Sequence, residues 1–303
     1  MKKNLALVII VFAILLTSCQ KKTGGPSGKP LVICSIPPLE FIAAKIGGGL
    51  IRTESLMGEF DSPHTYTVTP SKLRGIQQAD LLIQVGEGFE GYLTDNVLSS
   101  FSKLERLDLA EKVELRMFET LEGHDHEADH EEGGEHLGDR GHSGYDPHIW
   151  LGIPQLYQIS EAIYQKLAAL YPEGKEEFLA GKKALDAEIK EKEESVSTRL
   201  AEIKNKSYLV FHPSYGYFAD SFGFRQLSIE VDGKDPSPQA LKTVVDLALE
   251  NNIHTIISQP QFSPDQAQAI AEAIDGKVIG VNQLQKNVFN AIDEITSAIN
   301  ETK

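Results

Sequence analysis

The stretch KEEFLAGKKALDAEIKEKEESVSTRLAEIK, residues 175–204, decides how the chain is organised, because it predicts one long helix. It is rich in Ala, Leu, Glu and Lys, and contains no proline and no glycine after Gly181. At 1.5 Å per residue this helix would be on the order of 45 Å long, more than the width of one small domain. We expect linking helices over 154–205, interrupted by proline at Tyr171–Gly174, that join two halves of the molecule.

Short β-rich runs alternate with helical patterns on both sides of the linking helices, which indicates βαβ units and parallel sheets. In the first half, the sequence predicts strands near 31–36, 53–57, 81–85 and 113–118, with helices near 38–46, 69–78 and 91–100. In the second half, it predicts strands near 208–211, 227–231, 255–258 and 277–281, with helices near 237–250 and 264–273. The expected fold class is α/β, with two Rossmann-like lobes at 31–153 and 206–303.

The N-terminus has the pattern of a secretory signal. A basic start precedes an apolar run, Leu5–Leu16, which is shorter than the roughly 20 residues of a membrane-spanning helix. The run ends in Leu-Thr-Ser-Cys19, which looks like a bacterial lipobox; an ordinary signal peptide is the alternative. We expect residues 1–18 to be a lipoprotein signal peptide, Cys19 to be acylated, and 19–30 to be a flexible tether. The mature protein would be extracytoplasmic and membrane-anchored, on the periplasmic or cell-surface side.

Composition excludes several classes of protein. The 303 residues are 41% hydrophobic and 24% charged, which is typical of globular domains. The net charge of −15 repels phosphate backbones, so we expect no nucleic-acid partner. Two cysteines cannot form a disulfide scaffold, and Cys34 lies in an apolar stretch that predicts a buried thiol.

Residues 119–142 form a segment of different composition, interleaving histidines with acidic residues and glycines. It contains five of the nine histidines of the chain, at His124, His126, His130, His136 and His142. With almost no apolar residues, it cannot form a packed core, so we expect a mobile loop. A solvated acidic loop is the alternative, but imidazoles and carboxylates are ready ligands for divalent ions, which favours auxiliary metal binding.

Three other histidines lie where open α/β sheets place their ligand sites. His64, His148 and His212 fall in loops near the carboxyl ends of predicted strands or beside a domain boundary. Each histidine taken alone is more typical of a hydrogen-bonded structural residue than of a ligand. The three together favour a ligand site more than each one does alone.

Short motifs recur along almost the whole mature chain: SPHTY at 62–66 with TP at 69–70, ADL at 79–81, GEGFE at 86–90, DPHIW at 146–150, FHPSYGYF at 211–218 and QPQFS at 259–263. In order and spacing these motifs resemble the metal-specific solute-binding lipoproteins of bacterial ABC importers (cluster A-I), and within them the zinc-binding, ZnuA-like branch. The acidic His-rich loop also falls where zinc-binding members often carry one.

The resemblance implies two lobes joined by a long helix, with one metal ion in the interlobe cleft. His64 and His148 would come from the first lobe and His212 from the second. Members that look like manganese or iron carriers usually have a carboxylate at the third position, whereas three neutral imidazoles suit Zn²⁺ better. The implied function is high-affinity zinc capture and delivery to an ABC permease in the cytoplasmic membrane, by a protein we expect to be monomeric.

Two positions depart from the pattern of the family. Gln259 stands where many relatives have Glu, and Asn282 stands where many have the aspartate that is near the metal as a fourth group. An Asn oxygen is a weak zinc ligand, so water or an acidic side chain of the loop would complete the tetrahedron. Asn282 could instead form a hydrogen bond behind the ligands.

Three rival functions remain open from the sequence. One is a manganese or iron carrier of the same family. Another is a lipid-anchored zinc hydrolase, since three imidazoles with an open fourth position also occur in enzymes. The His-Glu-x-x-His pattern occurs at 126–130, but it falls in the segment expected to be a mobile loop and not on a helix. Only Glu230 or Asp232 could act as a base, so we expect no enzyme. A surface adhesin or zinc buffer would share every site residue with the importer subunit.

The lipobox predicts that Cys19→Ala abolishes lipid attachment, because the acyl chain is carried by the thiol. The variant should remain unprocessed or leave the membrane fraction, as measured by fractionation and electrophoretic mobility. Recovery in the membrane fraction with unchanged mobility would contradict the anchor.

Overall fold

The structure is a computed structural model that covers most of the chain from position 28 to position 301. The described ranges are 28–63, 65–86, 88–93, 95–118, 144–230, 237–262 and 264–301. The predicted signal peptide with Cys19, His64, and the five histidines of the His-rich loop therefore lie outside the described residues. Within the described ranges, no helix is both long enough and apolar enough to cross a membrane.

The first lobe contains a parallel four-stranded sheet with strand order β2-β1-β3-β4. Its strands are β1 (Leu31–Cys34), β2 (Arg52–Ser55), β3 (Leu81–Gln84) and β4 (Glu105–Asp108). The central strands β1 and β3 are buried along their whole length, which is typical of a parallel sheet covered by helices on both faces. Cys34 is one of these buried residues, as predicted.

The helices of this lobe are α1 (Pro37–Gly47), α2 (Pro70–Gln78) and the short α3 (Asp95–Leu98). The prediction of a helix over 91–100 was therefore too long. The preceding residues form a compact turn instead, because the buried carboxylate of Glu90 accepts hydrogen bonds from the backbone N–H groups of Val85 (2.7 Å) and Gly86 (3.0 Å).

The predicted strand over 113–118 is wrong, because β4 takes the fourth place in the sheet. Leu107 is the one buried side chain of this edge strand, so its sequence lacks the apolar pattern of a central strand. Residues 113–118 form no strand and contribute only an isolated antiparallel bridge between Met117 and Tyr145. This bridge brings the chain back toward Asp146 and His148.

The linking segment consists of α4 (Ile153–Leu170) and α5 (Lys175–Leu200), separated at Pro172. The long helix was predicted, but it ends at Leu200 instead of Lys204, where the chain turns toward the second sheet. Phe178, Leu185, Ile189, Val196 and Leu200 are buried along one face of α5. Their spacing follows the 3.6-residue period of a helix packed on a core.

The second lobe repeats the topology of the first, with strand order β6-β5-β7-β8 and parallel pairing throughout. Its strands are β5 (Ser207–Val210), β6 (Arg225–Ser228), β7 (Thr255–Ser258) and β8 (Lys277–Gly280). Its helices are α6 (Gly216–Phe222), α7 (Pro238–Glu250), α8 (Pro264–Ala273) and α9 (Val288–Asn300). Sequence reasoning predicted α7 and α8 but not α6 or α9.

Helix α5 packs against both lobes, on α1 in the first and on α9 in the second. Lys45 of α1 forms an ion pair with Glu188 (2.8 Å), and Arg199 pairs with Asp293 of α9 (2.9 Å). These pairs are half exposed and contribute little free energy. The buried face of α5 contributes more, and one hydrophobic core extends from the first sheet through α5 to the second.

The close packing of α5 on α1 predicts that Gly181→Val destabilises the protein. A Cβ at Gly181 would lie 2.5 Å from the carbonyl oxygen of Ile46 and 2.7 Å from that of Lys45, both backbone atoms. Overpacking of this kind costs about 1–3 kcal/mol. Urea unfolding should show this loss, whereas Lys183→Val, which adds the same side chain on an exposed position of α5, should change stability far less. Equal stability of the two variants would contradict the close contact.

Candidate metal centre

His148 is held at the end of the first lobe by the carboxylate two residues before it. Asp146 Oδ1 lies 2.7 Å from His148 Nδ1 and also accepts a hydrogen bond from the His148 backbone N–H (3.0 Å). Both residues are buried. A carboxylate only accepts, so this contact places the imidazole proton on Nδ1 and leaves the Nε2 lone pair free.

Asp146 is kept ionised by the groups around it. Burial acts to raise the pKa of this carboxyl, but the hydrogen bonds and charge of His148 together with the charge of Arg116 outweigh burial and lower it. Arg116 Nη1 donates to Asp146 Oδ2 (3.1 Å), and Arg116 Nε donates to Asp220 of α6 (2.8 Å). Arg116 therefore links the Asp146 carboxylate, which orients His148, to the second lobe.

His212 is oriented in the same way by a carboxylate of the second lobe. It follows β5, and Glu230 follows the neighbouring strand β6, so the two residues meet at the carboxyl edge of the sheet. His212 Nδ1 lies 2.6 Å from Glu230 Oε2, and both side chains are buried. This contact places the His212 imidazole proton on Nδ1, as in His148.

Gln259 positions the backbone of His212. Its Oε1 accepts from the His212 N–H (3.3 Å), and its Nε2 donates to the His212 carbonyl (2.9 Å) and to Ser214 Oγ (2.8 Å). The amide makes all three contacts, whereas an ionised glutamate at this position could not donate to the carbonyl. The side chain of Gln259 thus stabilises the loop behind the imidazole.

The two imidazoles face each other across the lobes. His148 Nε2 and His212 Nε2 are 3.3 Å apart, and the ring of Phe262 stacks on His212 with centroids 4.9 Å apart. Two ring nitrogens at this distance attract each other only through a proton or a cation between them. An imidazole whose second nitrogen binds a carboxylate is typical of metal-ligating histidines.

The remaining predicted site residues are distributed as follows. His64 lies outside the described residues, but the segment before it contacts the second lobe through Glu59. Both ends of the Asn282 amide are engaged: Nδ2 donates to the Glu59 carbonyl (3.1 Å), and Oδ1 accepts from Gln261 Nε2 (3.0 Å) and Leu284 N (2.9 Å). Within the described ranges, no three His, Cys, Asp or Glu side chains form a group that could hold a metal ion.

Sequence reasoning missed the roles of Asp146, Glu230 and Arg116. Asp146 carried a local signal, because a carboxylate two residues before a histidine can reach its Nδ1. Glu230 and Arg116 carried none, since Glu230 meets His212 through the strand order and Arg116 meets Asp146 beside the bridge between Met117 and Tyr145.

Two α/β lobes with imidazoles facing across the cleft define the class of solute-binding proteins that hold a metal ion between lobes. A family model described as ZnuA, zinc-uptake complex component A, periplasmic, matches residues 32–300. The chain belongs to this ZnuA family.

Individual relatives agree with this assignment. The high-affinity zinc uptake system protein ZnuA of Yersinia pestis is 30% identical over 251 residues, which cover 80% of this chain and 79% of that protein. The zinc-binding lipoprotein AdcA of Streptococcus pneumoniae is 25% identical over 298 residues, or 98% of this chain and 56% of AdcA. This chain therefore spans about half the length of AdcA.

Solved structures show the same architecture. A crystal structure of ZnuA has a TM-score of 0.79 at 27% identity and covers 90% of this chain and 99% of that chain. A ZnuA deletion mutant crystallised with zinc bound has a TM-score of 0.80 at 27% identity, covering 90% of this chain and 98% of that chain. The expected fold of two parallel-sheet lobes joined by a long helix is confirmed.

The burial of His212 predicts a stability that depends on pH in the metal-free protein. Burial lowers the pKa of His212 below its ordinary 6.5, although Glu230 acts in the opposite direction. The unfolded chain takes up a proton near about pH 6.5, before the folded protein does. The stabilisation from a neutral His212 is therefore present above that pH and is lost as the pH falls toward the lower folded pKa. Urea unfolding between pH 7.5 and 5 should show a steeper decline for the parent than for His212→Gln, and equal slopes would contradict the shift.

Proposed function

We propose that this chain is the extracytoplasmic zinc-binding subunit of an ABC importer, which captures Zn²⁺ in its cleft and delivers it to a membrane permease. The distance of 3.3 Å between His148 Nε2 and His212 Nε2 carries the proposal. Two nitrogens bound to one tetrahedral zinc ion, each at about 2.0–2.1 Å, lie about 3.3 Å apart. The two imidazoles thus have the separation that zinc requires.

The proposed zinc ligands are His64, His148 and His212. The segment containing His64 lies against the second lobe through Glu59, which supports its approach to the cleft. Because both ends of the Asn282 amide already form hydrogen bonds, we assign the fourth ligand to water or to an acidic side chain of the loop over 119–142.

The donor set favours zinc over manganese and iron. Imidazole nitrogens are borderline ligands that suit zinc, whereas Mn²⁺ prefers oxygen. The carboxylates of Asp146 and Glu230 lie behind the imidazoles, each on an Nδ1 atom, so they are not presented to the metal from this side.

The same geometry argues against a zinc hydrolase. Glu230, which the sequence allowed as a general base, is hydrogen-bonded to His212 Nδ1 and is buried. A base must reach the metal-bound water. We therefore infer a binding protein and not an enzyme.

The cellular context of the proposal follows from the sequence and the family. The family name describes a periplasmic component of a zinc-uptake complex. We propose a monomer that is anchored to the membrane through Cys19. Its lobes would span 31–153 and 206–303, and the histidines of the loop over 119–142 would act as auxiliary metal ligands. An adhesin or a zinc buffer would use the same cleft, and dependence of zinc uptake on the partner permease separates these functions.

The proposed site predicts one tight zinc ion per chain, with preference over manganese. His148→Ala and His212→Ala should each abolish tight binding, since only two protein nitrogens would remain. Asp146→Asn should weaken binding about 10- to 100-fold, because it removes the carboxylate that orients His148. Competition titration with a chromogenic chelator measures these affinities.

The matched control is His254→Ala, which removes an imidazole whose Nδ1 contacts the backbone oxygen of Ile274, away from the facing imidazoles. It should keep the parent affinity. Retained zinc affinity in His212→Ala, or a parent that prefers manganese, would overturn the site.

A further inference from the structure

The backbone carbonyl of Glu59 is held by two amides of the second lobe. Gln261 Nε2 lies 2.8 Å from this oxygen, and Asn282 Nδ2 lies 3.1 Å from it. Gln261 Nε2 also donates to Asn282 Oδ1 (3.0 Å), so the three groups form a closed ring of hydrogen bonds. We call Glu59, Gln261 and Asn282 the interlobe latch.

Further contacts reinforce the latch on the same side. The Glu59 carboxylate accepts a hydrogen bond from the backbone N–H of Lys286, and Lys286 Nζ pairs with Glu40 of α1 (2.7 Å). The indole Nε1 of Trp150, a fully buried residue beside His148, donates to the Gln283 carbonyl (2.8 Å). A group of polar contacts between the lobes therefore lies around positions 282–286, in addition to the contact of Arg116 with Asp220.

The position of the latch in the fold connects it to zinc binding. Glu59 lies in the connection between β2 and α2, which also contains His64. Gln261 follows β7 and Asn282 follows β8 at the carboxyl edge of the second sheet. Separating the lobes must therefore break the latch or move the His64 segment with the second lobe.

The chemistry of the latch requires amides. The Glu59 carbonyl only accepts hydrogen bonds, so its partners must donate. An aspartate at position 282 or a glutamate at position 261 would place a negatively charged oxygen against the carbonyl. The asparagine at 282 is thus explained by a need for a donor and not by coordination of the metal.

We propose that Gln261 and Asn282 are positioning residues that keep the His64 segment on the second lobe and slow the release of bound zinc. The proposal rests on the proposed zinc function. Stabilising the closed arrangement raises affinity, because the binding-competent state is then more populated. The loss of one hydrogen bond together with the added repulsion should speed zinc release about tenfold.

The test measures zinc release by stopped-flow transfer to an excess of chelator. Asn282→Asp and Gln261→Glu should each release zinc about tenfold faster than the parent. The matched controls are Asn290→Asp and Gln268→Glu, which add the same charge at exposed positions of α9 and α8. Both controls should release zinc at the parent rate.

Trp150 provides a second readout, because it is the single tryptophan and its indole bonds to the residue after Asn282. In zinc-free protein, the latch variants should shift its emission to longer wavelength while circular dichroism stays unchanged. If a charged variant fails to fold, Gln261→Met, which removes the donor without adding charge, takes its place in the release measurement.

Release at the parent rate by folded latch variants would overturn the proposal. So would tighter zinc or manganese binding by Asn282→Asp, since that result would make residue 282 a ligand. A parent protein that binds no zinc at all would instead overturn the proposed function, so the two failures are distinguishable.

Discussion

The packing of helix α5 against both lobes is the constraint on which the rest of the structure depends. A helix has a fixed rise per residue and cannot stretch, so its buried face sets the spacing between the two sheets. His148 and His212 come from opposite ends of this helical segment in the sequence. Their Nε2 atoms lie 3.3 Å apart because one continuous core holds the lobes in place.

Carboxylates then determine what the two imidazoles can do. Asp146 and Glu230 each accept a hydrogen bond from an Nδ1–H group, which fixes the tautomer and turns Nε2 of both imidazoles toward the proposed zinc site. They also bring negative charge close to a site proposed for a divalent cation. The net charge of −15 has the same sign, which favours attraction of cations over the whole surface.

The lobes are joined by two kinds of contact with different consequences. The apolar core around Trp150 is excluded from water and resists separation. The amide contacts of Gln261 and Asn282 with Glu59 are part-buried hydrogen bonds, each of which contributes only a modest net free energy. A protein that must bind tightly and still release its ion needs contacts of the second kind beside the site.

The sequence by itself determined the α/β class, the two lobes, the long linking helix and the three candidate histidines. These features are written in local periodicity and in short motifs such as DPHIW at 146–150. Only the tertiary structure decided that β4 lies at Glu105–Asp108, because an edge strand of polar residues has no apolar pattern. The structure alone also decided that Glu230 orients His212, because the two residues follow neighbouring strands of the sheet and lie 18 positions apart in the sequence. The contact between Glu59 and Asn282 joins residues more than 200 positions apart. Such contacts arise from how the lobes pack, and no local pattern along the chain encodes them.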